Sequence, residues 1–220
     1  MKSNFFKLSG IYAIGNLFQS SIQVFLLPLM VAYLTTEEIG AIALIYIISS
    51  VFITIISSPI STSLNRYYYH PKFSNKTDIF LFNLVVVLLI KSLLFFFVLY
   101  YLNYLISDWI FKDGIKWSLL LKLYSLLVLI IPLSNFFKEL CKITEKAKLL
   151  VSVRVVESLI YIPLSLLFFN FNLGVYSMIY GQILSVLFTI LVLLIIFYKN
   201  FKPSFSFTLL KRPFKYSYPL

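Results

Sequence analysis

Among the polar and charged residues in or bordering the long apolar runs of this sequence, nine are candidates to meet a polar solute: Asn16, Gln19, Gln23, Thr54, Ser57, Arg66, Lys91, Arg154 and Glu157. Amides and hydroxyls can hydrogen-bond water or a polar solute, and the cations can attract an anion, but none of this makes or breaks a bond. Stepped at about 100° per residue, Ser9, Tyr12, Asn16, Gln19, Ser20 and Gln23 fall within a sector of roughly 100°, opposite Ile14, Phe18 and Phe25. Ser50, Thr54, Ser57, Ser61 and Asn65 make a second stripe, provided a bend at Pro59 does not shift its phase. Arg154, Glu157, Ser158, Tyr161 and Ser165 make a third. A helix surrounded by lipid would not collect its polar groups on one line, so each stripe faces a water-filled cavity or neighbouring helices. Interhelical hydrogen bonds are the simpler account of the Ser and Thr positions.

Lys91 lies deep in its run, where an unpaired ammonium is costly, so it faces water or an anion unless it pairs with Glu157 or the span is shifted in register. Arg154 and Glu157, three residues apart, can also pair with each other. Arg66 closes the second run as a charge anchor or as part of an anion-attracting entrance. Glu157 is the one acidic residue within the runs.

The composition sets the frame for these residues. Of 220 residues, 60% are hydrophobic and only 12% charged, about half the charged share of an ordinary soluble domain. The mean hydropathy is +0.94. These values exclude a cytosolic enzyme, a disordered tail and a disulfide scaffold. One Cys and one His leave no intrachain disulfide and no Cys/His metal cluster. No GxSxG, P-loop, HExxH or dinucleotide fingerprint is present, so neither an enzyme nor a cofactor is expected.

The runs predict six membrane helices, over 8–34, 39–64, 79–106, 117–137, 149–169 and 174–198, since a span needs about 20 apolar residues. Alternate connections differ sharply in charge. Fourteen Lys and Arg lie in the N-terminus, the loop after span two, the segment after span four and the tail, against Lys112 and Lys116 in the opposite set. By the positive-inside rule both termini are cytoplasmic. The net charge of +11 then reflects basic loops facing anionic lipid headgroups, and no nucleic-acid partner is expected. Pro28, Pro59, Pro132 and Pro163 fall within spans as candidate kinks. Gly174 and Gly181, seven apart, offer one face for close helix contact.

Several segments resemble the polysaccharide biosynthesis proteins, the O-antigen and capsule-unit flippases of the multidrug/oligosaccharidyl-lipid/polysaccharide superfamily. They are Ile11-Tyr-Ala-Ile-Gly-Asn16, Leu26-Leu-Pro-Leu29, Tyr33-Leu-Thr-Thr-Glu-Glu-Ile-Gly40, the exit Asn65-Arg66-Tyr67-Tyr68, Thr144 to Leu150 and Leu173 to Gln182. Pro59 departs from the pattern, where relatives more often show glycine. The resemblance implies an all-α integral membrane fold, with six helices forming one lobe (1–198) of a two-lobe flippase and 199–220 forming a cytoplasmic linker and the start of a truncated seventh span. It implies passage of undecaprenyl-pyrophosphate-linked oligosaccharide across the bacterial inner membrane for O-antigen, capsule or exopolysaccharide synthesis. The stripes would then solvate sugar, and Lys91, Arg154 and Arg66 would attract the carrier's pyrophosphate. Partners would be membrane lipids and either a C-terminal lobe or a second copy, because one lobe cannot rock against itself; alone it is expected to be inactive. A drug or peptidoglycan-precursor exporter of the same superfamily, or a non-transporting scaffold, are the alternatives.

Overall fold

A computed structural model describes residues 10, 13, 15, 17, 24, 26–28, 30–71, 76–111, 114–206, 209, 210 and 213. Six helices are bounded within it: α1 Thr36–Tyr67, α2 Thr77–Tyr101, α3 Asn103–Ile110, α4 Gly114–Ile143, α5 Ala147–Asn170 and α6 Tyr176–Phe197. All but α3 are long and apolar enough to cross a membrane, five in number. The first expected span lies largely outside the described residues, as do Asn16, Gln19 and Gln23; residues 26–28 and 30–33 are helical. No strand occurs among the described residues.

Local chemistry explains most boundaries. Thr35 opens α1 with a capping box: its hydroxyl accepts the Glu38 N–H at 3.3 Å, while the Glu38 carboxylate accepts the Thr35 N–H at 2.8 Å. Two of the helix's orphan donors are thereby satisfied. The third run, expected to be continuous over 79–106, instead divides at Leu102. The Asn103 side-chain amide donates back to the Tyr100 carbonyl, giving the backbone a local alternative to the helical ladder. The short α3 that follows lies tightly on the start of α4: a Cβ on Gly114 would collide with the Asp108 backbone. Beyond the predicted limit at 137, α4 runs on to Ile143. Pro59, Pro132 and Pro163 all sit inside uninterrupted helices.

The helices pass up and down, and contacts fix which ends lie together. At one end Lys116 pairs with Glu37 at 3.0 Å and Tyr33 stacks on Phe169 with centroids 4.9 Å apart. At the other, the Tyr69 hydroxyl donates to the Ile143 carbonyl at 2.6 Å, and Lys146 lies 4.5 Å over the Phe197 ring. The second end carries Arg66, Lys76, Lys142, Lys146, Lys148, Lys199 and Lys202.

At the centre stands α4, which packs against α1, α2, α3, α5 and α6. Half of its most apolar stretch is buried, against 22% for α5. Phe136, Phe137, Val128 and Leu140 of α4 anchor one core cluster with Phe80, Leu84, Ile56 and Phe197. Apolar burial gives little drive inside lipid, so helix pairs depend on close fit. The α5–α6 seam shows this. Ser177, Gly181 and Ser185 of α6, four residues apart, are all buried, and a Cβ on Gly181 would strike the Ser165 hydroxyl of α5. Gly174, expected on the same face as Gly181, lies before α6 in a turn at φ +52°, with open space where a Cβ would point.

A polar cleft between helices α1 and α5

Helices α1 and α5 flank α4 without meeting: among the described residues no Cα of one lies within 8 Å of a Cα of the other. The gap is a cleft. Two residues before α1 lie against α5: a Cβ on Gly15 would come 2.7 Å from Val151 Cγ2, and Tyr33 stacks on Phe169. These two contacts pair 15 with 151 and 33 with 169, so they follow the same chain direction.

Two chambers occupy the cleft. The first, about 310 Å³, is lined by Thr54, Ser57, Ser58 and Ser61 of α1, Asn135, Lys138, Glu139 and Lys142 of α4, and Arg154 of α5. The second, about 480 Å³, lies toward the opposite end. Its polar lining comes from Tyr46 of α1, Tyr124 of α4, Arg154, Glu157, Ser158 and Tyr161 of α5, and Gln182 and Ser185 of α6, with Leu26, Leu27 and Met30 completing the wall. Arg154 lines both. At the join, Lys138 Nζ donates to Glu157 Oε2 at 2.6 Å, with side chains only 12% and 19% exposed. This is more enclosed than Lys116–Glu37 at 52% and 62%.

A short network organises the charged chamber. The Asn65 side-chain amide donates to Glu139 Oε1 at 3.0 Å, and Lys142 Nζ binds Glu139 Oε2 at 2.7 Å. Glu139 is thus held from both sides, which fixes Lys142 toward it. Thr54 donates to the Ser50 carbonyl at 2.7 Å, so its hydroxyl presents acceptor lone pairs to the cleft. The Ser57 hydroxyl is buried with no hydrogen-bond partner among the described residues. Three cations (Lys138, Lys142 and Arg154) face two carboxylates (Glu139 and Glu157). The chamber is therefore cationic by one charge and rich in donors. Among the described residues no three His, Cys, Asp or Glu side chains gather as metal ligands.

The structure brings together Thr54, Ser57, Arg154 and Glu157 from the sequence candidates, across two helices. Ser57 and Ser61 line one chamber, so Pro59 does not shift the phase of the stripe. Arg66, 5.9 Å over the Tyr67 ring, stands in the last turn of α1 outside both chambers. Lys91 is half-buried on α2, a helix that lines neither chamber. The carboxylate partner expected for Lys91 or Arg154 is instead held by Lys138.

Sequence reading missed the α4 face. Asn135, Lys138, Glu139 and Lys142 repeat at helical spacing, but charge ends the apolar run at 137, so three of them fall beyond the predicted span. Tyr161 stood in the third stripe, whereas Tyr46 and Tyr124 carried no distinguishing signal among 16 tyrosines, nor did Gln182.

A family model of polysaccharide biosynthesis proteins matches residues 6–220. The chain belongs to this family. No curated protein and no solved structure matches the chain. This member of the polysaccharide biosynthesis family is a multi-pass membrane protein by its five apolar helices. Its cleft is built from the least-packed side of the bundle.

Proposed function

We propose that the cleft is the half-pathway of a flippase carrying undecaprenyl-diphosphate-linked oligosaccharide across the bacterial inner membrane, for O-antigen, capsule or exopolysaccharide assembly. One observation carries this reading: a cationic chamber and a tyrosine-lined chamber lie end to end in one cleft. The first suits a diphosphate, since Lys and Arg recognise phosphate oxygens. The second suits a sugar, which offers hydroxyls to Gln182 and Ser158 and apolar faces to aromatic rings. The stripe of Asn16, Gln19 and Gln23 extends the reading to the first helix.

The basic end of the bundle faces the cytoplasm under the positive-inside rule, which places the charged chamber on the side where the carrier is loaded. The carrier's tail stays in the bilayer beside α1 or α5. Family membership argues for passage of a substrate and against bond-making chemistry. Rocking about a central cavity needs two lobes, so the chain works against a second lobe or a second copy of itself. Deleting the gene should abolish surface polysaccharide and leave lipid-linked repeat units in the inner leaflet. Unchanged polysaccharide without such accumulation overturns the reading.

A further inference from the structure

The ion pair at the join of the two chambers has a second role open to it. Lys138 projects from α4 into the charged chamber and Glu157 from α5 into the tyrosine chamber, so their bond crosses the boundary between them. α1 and α5 do not touch, and this ion pair is one of the contacts that tie α5 to α4 beside the cleft. Elsewhere in the chamber the charges are locked: Glu139 is bound by both Asn65 and Lys142. Among the described residues Lys138 is the one side chain that clamps Glu157, and its helix is the least buried of the five.

We propose that Glu157 is a built-in competitor for the anion site: it occupies Lys138 until a diphosphate enters the charged chamber and takes its place, which opens the boundary between the chambers. This rests on the flippase reading and names the step that links its two subsites. An enclosed lysine must keep an anionic partner, because an uncompensated buried charge is costly. A diphosphate beside Lys138, Lys142 and Arg154 supplies that partner and releases Glu157 toward the tyrosine chamber, where the tyrosine hydroxyls and the Gln182 amide can donate to the freed carboxylate. Exchange keeps the cation satisfied before and after, whereas simple addition of a ligand would leave Glu157 in place.

The proposal has an unusual sign. If Glu157 were a ligand-binding group or a purely structural one, neutralising it would weaken binding or do nothing. As a competitor, its removal tightens binding. The full chain in phosphatidylcholine nanodiscs is titrated calorimetrically with inorganic pyrophosphate. Glu157→Gln should bind about tenfold tighter than the parent, and Lys138→Gln at least tenfold weaker. Glu157→Asp keeps the charge but shortens the reach, so it should tighten binding by a smaller factor; it also serves if Glu157→Gln does not fold.

Parent binding with no gain in either Glu157 variant overturns the competitor role and leaves the flippase reading standing. No pyrophosphate binding by any variant overturns both. The diphosphate could come from a polyprenyl carrier, or a phospholipid headgroup could offer its phosphate instead. Farnesyl diphosphate should displace pyrophosphate, while phosphatidylglycerol added to the discs should not. Equal displacement by phosphatidylglycerol overturns the carrier as the source.

Discussion

The two chambers differ in how their polar groups are held. In the charged chamber, side chains bind one another: Asn65 and Lys142 on Glu139, Lys138 on Glu157. In the tyrosine chamber, the lining residues come from four helices and the first segment, and Ser158 and Ser185 spend their hydroxyl protons on carbonyls of their own helices, Arg154 and Gln182. One chamber is ordered by a network and the other by backbone packing. A network can be rearranged by an incoming charge, while a packed wall changes only when helices move.

Three substitutions test this contrast. The largest effect is expected from Gly181→Leu. Its side chain would meet Ser165 in the α5–α6 seam, and overpacking of this kind costs about 1–3 kcal/mol. Thermal unfolding in detergent should fall clearly, and binding of neutral sugar should be lost while pyrophosphate binding survives. Loss of both ligands together would make the two chambers one unit.

Tyr161→Ala comes next. It removes an aromatic face from the tyrosine chamber and should weaken oligosaccharide binding by about tenfold, near the upper end of an aromatic contact. Pyrophosphate affinity should not change. An equal loss for pyrophosphate would show that the anion reaches beyond the charged chamber.

The smallest effect is expected from Asn65→Leu. It deletes one hydrogen bond to Glu139 but leaves Lys142 in place. Stability should drop by about 1 kcal/mol, the typical net worth of an intramolecular hydrogen bond. Pyrophosphate binding should change less than twofold. A tenfold change would make Asn65 part of the recognition surface.

Much of the architecture was legible because membrane helices announce themselves as uninterrupted apolar runs. Spans near 39–64, 149–169 and 174–198 lie within or close to α1, α5 and α6. The α1 stripe was legible too, since Thr54, Ser57 and Ser61 obey helical periodicity and do line one chamber. Two features resisted. The break at Leu102 depends on an Asn103 side-chain bond that hydropathy does not register. The α5–α6 seam uses Ser177 and Ser185 around Gly181, and a serine carries the same letter whether it faces water or a neighbouring helix.

By itself the amino-acid sequence determined that this chain enters lipid, how often its apolar runs recur, and which faces of those helices are polar. Those properties follow from local composition and from the 3.6-residue turn. The choice of partners belonged to tertiary structure. Lys138 joined Glu157 across helices, rather than Arg154 joining it along one, because α4 occupies the middle and turns its basic face toward α5. Charge pairing in a bundle depends on which helices are neighbours, and that order is set by packing around α4.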